Sequence, residues 1–221
     1  MTNLSGIIVA GGRSRRMGWD KRRARLWGPA GPTLLEHTVA LLTPLCHEVI
    51  VVLNDPQAWP GLAARCVEDY YPGTGVLGGL YTGLRSATCP TALVVAADMP
   101  MLNPALLQAM ITTCFEGDIL IPVARSDTNR SGYEPLHAIY RTQCLPHIQA
   151  ALTAGSYAIH DLLAQLHLSI FPAAQMDSYD PHGYALRNLN TPDDLAMAEP
   201  LITNPSSSAL PICKSNPDQD E

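Results

Sequence analysis

The sequence predicts a three-layer α/β/α fold carrying a largely parallel sheet, and three observations lead there. Short strand-like apolar runs alternate along the chain with stretches that read as helices. Three of those runs are almost entirely apolar, the pattern of strands covered on both faces. The polar residues that interrupt the runs fall repeatedly at their carboxyl ends, where open parallel sheets bind ligands.

In chain order, strands are expected over residues 6–10, 48–53, 64–68, 92–97, 117–121 and 135–140. A helix is expected over residues 33–42, where Leu34, Leu35, Thr38, Leu41 and Leu42 form one stripe. A second is expected over residues 104–115, with Asn103 as its cap and Pro104 at the first helical position. The device recurs late in the chain. There Thr191 caps, Pro192 opens, and Asp193 and Asp194 sit against the positive helix end. Gly73, Gly75, Gly78, Gly79 and Gly83 make a glycine-rich stretch before the fourth strand. It reads either as backbone closing around a base or as a flexible connection. One domain is expected over residues 1–202. The Ser-, Pro- and Asp-rich tail over residues 203–221 is expected to be disordered.

The 221 residues suffice for one hydrophobic core, and 47% hydrophobic with 15% charged residues describes a compact globule. No apolar run reaches bilayer length and the N-terminus lacks a signal-peptide layout, so a cytoplasmic protein without a membrane partner is expected. A net charge of −6 argues against a surface that coats nucleic acid. The six cysteines (Cys46, Cys66, Cys89, Cys114, Cys144 and Cys213) form no C-x-x-C pair. Buried reduced thiols fit them better than a disulfide framework.

Against that acidic background, seven of the 14 Lys and Arg residues lie between Arg13 and Arg25. They follow the apolar first strand and the pair Gly11-Gly12. Paired glycines let backbone N–H groups approach phosphate oxygens, and the cations supply countercharge, so the segment reads as a polyanion site. The spacing matches neither the P-loop nor the G-x-G-x-x-G dinucleotide fingerprint.

Further candidates collect at the other strand ends. The second strand delivers Asn54-Asp55, the third Glu68-Asp69, and the fourth Asp98-Met99-Pro100. Asp98 follows a fully apolar run and lies too far ahead of Pro104 to cap that helix. A carboxylate so placed can ligate Mg²⁺ and bridge it to phosphate. Asn54 could bond a base or ribose, or simply form a turn. Asp69 could accept from purine N–H groups, or be a solvated loop acid. His137 is expected as a hydrogen-bonded core residue, and no G-x-S-x-G or histidine metal spacing occurs.

The run from Val9 to Lys21 resembles the signature of the molybdenum cofactor guanylyltransferases. So do Ala97-Asp98-Met99-Pro100, the segment from Glu134 to Tyr140, and the segment from Asn188 to Leu195. The resemblance spans residues 4–199 and implies a nucleotide-diphospho-sugar-transferase-like, Rossmann-like sheet. It implies GMP transfer from GTP to molybdopterin with release of pyrophosphate. Val9, Ala10, Gly11 and Gly12 would then meet the nucleotide, with Asn54 and Asp69 contributing. Lys21 would hold the triphosphate, and Asp98 would bind nucleotide and Mg²⁺. Asn188 and Asn190 would lie near the acceptor or the metal, and a molybdoenzyme or maturation chaperone would receive the product. Lys21 with Arg15 or Arg16 would stabilise the charge that builds as pyrophosphate departs. A sibling enzyme using CTP or another phosphorylated acceptor, and a non-catalytic nucleotide-binding module, are the alternatives.

Overall fold

A computed structural model describes residues 3–11, 20–123 and 132–202. Seven strands form one sheet: β1 (Ser5–Val9), β2 (Glu48–Leu53), β3 (Arg65–Glu68), β4 (Thr91–Ala96), β5 (Ile119–Pro122), β6 (His137–Arg141) and β7 (Leu168–Phe171). Their spatial order is β3-β2-β1-β4-β6-β5-β7. All neighbours pair in parallel except across β6, which runs antiparallel to both β4 and β5. The sheet is therefore mostly parallel, as expected. β7 was not expected: it is an edge strand of only four residues, partly exposed.

Among the described residues there are seven α-helices: α1 (Leu34–Leu42), α2 (Val76–Ser86), α3 (Pro104–Thr112), α4 (Leu145–Thr153), α5 (Ile159–Leu163) and α6 (Ala173–Tyr179), which cover the two faces, and α7 (Pro192–Ala198). The alternation of strand side chains divides the core into two layers. Ile8 and Ala10 pack with α1, α3 and α6 residues such as Leu35, Leu106 and Met176. Ile7 packs on the opposite face with Leu80, Leu84, Ile148 and Leu162 of α2, α4 and α5. A third, smaller cluster joins Leu26 and Leu34 to Leu189, Ala198 and Ile202.

Both expected caps form: Asn103 accepts from Ala105 and Leu106 on α3, and Thr191 with Asp194 boxes α7. Thr33, expected as the first residue of the α1 helix, instead caps it in a reciprocal capping box with Glu36. α3 ends three residues short of its expected limit, because Thr113 already takes an extended conformation.

The glycine-rich stretch corrects an expectation. Gly78, Gly79 and Gly83 lie inside α2 rather than in a loop or around a base. A Cβ on Gly83 would sit 2.4 Å from Ile7 Cγ2, and one on Gly79 would sit 2.8 Å from Val9 Cγ1. Their absence lets α2 lie directly on β1. Gly75 precedes the helix at φ 71°, a left-handed conformation that glycine adopts without strain.

The cysteine expectation holds in part. Cys89 and Cys144 are buried, Cys46 and Cys66 half-buried, and all are free thiols, but Cys114 is exposed. Burial pushes the Cys46 and Cys144 thiols up to about 12. Cys213 lies outside the described residues. Among the described residues, no helix is long and apolar enough to cross a membrane.

Candidate active site

β1 sits between β2 and β4 with Val9 level with both Val52 and Ala96. That register brings the chain segments leaving three parallel strands to one rim. Gly11 follows β1, Asn54 follows β2, and Asp98 follows β4. A cleft of about 250 Å³ opens at this rim, lined by Val9, Gly11, Lys21, Val76 and Asp98 among others. It lies beyond the carboxyl ends of parallel strands, where such sheets bind ligands.

Lys21 enters on a short 3₁₀ turn, Lys21–Arg23, that Asp20 caps by accepting from Arg22 N–H. The Lys21 ammonium donates to Asp98 Oδ2 at 2.5 Å and to the Leu189 carbonyl at 3.1 Å. Both partners keep access to the cleft, with side chains 22% and 23% exposed. The Asp98 carbonyl in turn accepts from Leu189 N–H at 2.8 Å. Two residues 77 positions apart are thus joined with the segment that carries Asn188 and Asn190.

The α2 N-terminus forms another wall. Gly75 provides no side-chain cap, and Gly75 and Val76 both line the cleft. Helix N-termini present free N–H groups and partial positive charge, which favours phosphate there. Lys21 and this helix end thus bring positive charge and N–H donors to the cleft. On the rim, Gly11 needs no glycine to avoid its described neighbours: a Cβ there would meet only the Asn54 amide, at 3.6 Å. Its lack of a side chain leaves backbone open toward the cleft.

The remaining expected site residues fall into three groups. Val9, Ala10, Gly11, Lys21 and Asp98 line the cleft. Ala10 does so with its backbone already bonded, its N–H to Val52 O at 3.0 Å and its carbonyl to Arg22 at 3.0 Å. Asn54 is exposed beside Gly11, while Asn188 and Asn190 are exposed on either side of Leu189. Asp69 stands apart from the cleft lining. It is buried, and its Oδ1 accepts from Thr82 Oγ1 at 2.9 Å and Tyr71 N–H at 3.0 Å, tying the end of β3 to α2. Gly12, Arg15 and Arg16 lie outside the described residues.

Sequence reasoning missed Arg22 and the α2 N-terminus. Arg22 was one cation in a basic run, with nothing to mark it out before Asp55 was seen to reach it. The helix start was hidden because glycines are poor helix formers, so the sequence of α2 reads as loop. His137 was expected to be hydrogen-bonded. It is fully buried, yet neither ring nitrogen has a hydrogen-bond partner among the described residues. Burial pushes its pKa down to about 4, partly opposed by the Asp180 carboxylate.

Asp98 has the chemistry that a Mg²⁺ ion needs from a protein. It offers a hard carboxylate in the cleft, and the bond to Lys21 engages Oδ2. Among the described residues, no group of three or more His, Cys, Asp or Glu gathers for a metal. Mg²⁺ commonly takes one or two carboxylates and completes its shell with phosphate and water, so one such anchor is compatible.

Comparison with known proteins agrees with this geometry. Residues 6–169 match the model of the MobA-like NTP transferase domain. The chain is 51% identical over 200 residues to a probable molybdenum cofactor guanylyltransferase of Chloroflexus aggregans, covering 90% of this chain and 95% of that one. Molybdopterin-guanine dinucleotide biosynthesis protein A from Archaeoglobus fulgidus superposes with a TM-score of 0.73 at 25% identity, over 90% of this chain and 98% of that one. The fold alone is shared with 2-C-methyl-D-erythritol 4-phosphate cytidylyltransferase from Thermus thermophilus, at a TM-score of 0.64 and 22% identity over 90% and 98% of the two chains. With its rim of glycine, lysine and aspartate and three-quarters of its length matched, the chain belongs to the MobA-like NTP transferase domain family.

Proposed function

We propose that this chain is a nucleotidyltransferase that moves GMP from GTP to the terminal phosphate of molybdopterin, forming molybdopterin guanine dinucleotide. The observation that carries the proposal is the meeting of Lys21 and Asp98 in one cleft with the α2 N-terminus. The relatives' printed activities supply the guanine and molybdopterin parts.

In this reading the triphosphate lies between Gly11, Lys21 and the N–H groups that open α2. The acceptor's phosphate oxygen forms a bond to the α-phosphorus. The bond from that phosphorus to the α–β bridging oxygen breaks, and its electron pair leaves with pyrophosphate. The attacking phosphate is already ionised near neutral pH, so no general base is needed. Lys21 and the helix end neutralise charge growing on the phosphate oxygens, and their fixed placement supplies most of the rate gain. Mg²⁺ held by Asp98 would add positive charge on the triphosphate. Asn54 would border the base or ribose, and Asp69 would act through the helix that it anchors. Asn188 and Asn190 flank the acceptor side, on the segment that Leu189 ties to Asp98 and Lys21. Arg16 and Gly12 complete the proposed set.

The test is pyrophosphate release with GTP, CTP, ATP and UTP, each with and without molybdopterin, in the presence of Mg²⁺. GTP-specific, acceptor-dependent release is expected. Turnover with CTP alone would overturn the guanine assignment. Undiminished turnover by Asp98→Ala would remove the carboxylate from the machinery.

A further inference from the structure

We infer that Arg22 is a positioning residue: its guanidinium locks the turn bearing Lys21 against the ends of β1 and β2, and does not itself bind phosphate. The inference rests on the nucleotidyl-transfer reading of the cleft.

Arg22 borders the cleft and its side chain is 13% exposed. An arginine beside a phosphate cleft would ordinarily be taken as a phosphate ligand. Its hydrogen bonds argue otherwise. Nε donates to Asp20 Oδ1 at 2.8 Å and one terminal nitrogen to Asp20 Oδ2 at 2.8 Å. The same nitrogen donates to Asp55 Oδ2 at 3.1 Å, and the other to Asp55 Oδ1 at 2.9 Å and the Ala10 carbonyl at 3.0 Å. A guanidinium has five N–H donors, and five acceptors are already in place. Two carboxylates also flank its single charge. A phosphate would have to displace one of these bonds to engage it.

The acceptors show what the side chain holds instead. Asp20 precedes Lys21 and caps its turn through Arg22 N–H at 3.1 Å. Ala10 is the residue between β1 and Gly11, and Asp55 lies just beyond β2 and Asn54. One rigid, planar group thus fixes three chain segments that converge on the cleft. The neighbouring Arg23 holds the far side of the turn, stacked 4.4 Å over Trp59 and donating to the Ala58 carbonyl at 2.6 Å. Burial opposes ionisation of Asp20, yet its bonds and charge contact with Arg22 carry the carboxyl below its usual range. A lysine here would keep the charge but could not reproduce the two-sided fork.

Arg22 therefore acts on the reaction through Lys21, and the two residues must be energetically coupled. The experiment is a double-mutant cycle on Arg22→Gln and Lys21→Ala, read by GTP titration calorimetry with Mg²⁺ and by kcat for pyrophosphate release. Arg22→Gln alone is expected to weaken GTP binding and lower kcat each by about tenfold, since small misplacements of a charged group are costly. In the Lys21→Ala background it should change neither by more than about twofold. Arg22→Lys should resemble Arg22→Gln in kcat, while its melting temperature stays near that of the parent. Additive losses in the cycle, or full activity in Arg22→Lys, would overturn the inference. If Arg22→Gln proves unstable, Asp55→Asn in both backgrounds supplies the same cycle, because it removes one arm of the clamp. A parent protein that binds no GTP would instead count against the nucleotidyl-transfer reading, which keeps the two failures distinct.

Discussion

The Lys21 ammonium sits between the Asp98 carboxylate and the Leu189 carbonyl, and both contacts matter for how the cleft is filled. A part-exposed pair of this kind is worth about 1 kcal/mol or less. That is small beside the charge of a triphosphate, so in the proposed reading an arriving nucleotide would draw Lys21 away and leave Asp98 oxygen for a divalent ion. Without nucleotide, the ammonium would compete with that ion for the same carboxylate. Lys21→Met should therefore tighten binding of Mn²⁺ to the nucleotide-free protein by roughly fivefold while weakening GTP binding. Electron paramagnetic resonance of free Mn²⁺ measures the first effect, and calorimetry the second. Looser Mn²⁺ binding in the variant would contradict this competition. Asp98 was legible in the sequence because it follows an apolar strand, whereas Lys21 was one cation of the basic run until the family resemblance singled it out. The ion pair between them was not legible, since it depends on β1 and β4 being neighbours.

At the scale of elements, the cleft depends on how closely α2 lies on β1. Gly79 and Gly83 face Val9 and Ile7 where side chains would collide, so the helix descends onto the strand and its N-terminus reaches the cleft. Gly83→Ala should cost about 2 kcal/mol, as a buried methyl forces the packed layers apart. Urea unfolding measures that loss, and an unchanged midpoint would show that the contact is not tight. The glycines that serve this packing also disguised the helix, which is why α2 read as a loop. Its neighbours were easier. β1, β2 and β4 are apolar almost throughout and were placed within a residue or so. Asn103 and Thr191 marked their helices through side-chain chemistry, and the apolar stripe of Leu34, Leu35, Leu41 and Leu42 marked α1. β7 was illegible for another reason: at four residues, Leu168-Ser169-Ile170-Phe171, it is too short for its pattern to tell a strand from a helix segment. The reversed direction of β6 is a property of the connections and leaves no local mark in the strand.

Across the whole molecule, His137 links the core to the pH range in which the fold is stable. The fully buried imidazole is neutral in the folded state, with a pKa pushed down to about 4 from an ordinary 6.5. Between those values the unfolded chain binds the proton and the folded chain does not. Stability is therefore complete above about pH 6.5 and falls as pH drops toward 4, by about 3 kcal/mol from this residue alone. His37 is shifted the same way by burial and adds to the slope. Replacing His137 with leucine should flatten the pH dependence of the urea midpoint between pH 7 and 4.5. It should also leave the neutral-pH midpoint no lower, because both unpartnered nitrogens are removed. A variant as acid-sensitive as the parent would place the effect elsewhere. The same sheet joins this core to the reactive rim, with His137 on β6 and Asp98 at the end of neighbouring β4. The most direct measurement on that rim is anomalous diffraction from a crystal soaked with GTP and Mn²⁺. The metal peak should touch the Asp98 carboxylate, with the triphosphate lying between Lys21 and the first turn of α2. Nucleotide and metal found together at any other place on the molecule would contradict the account.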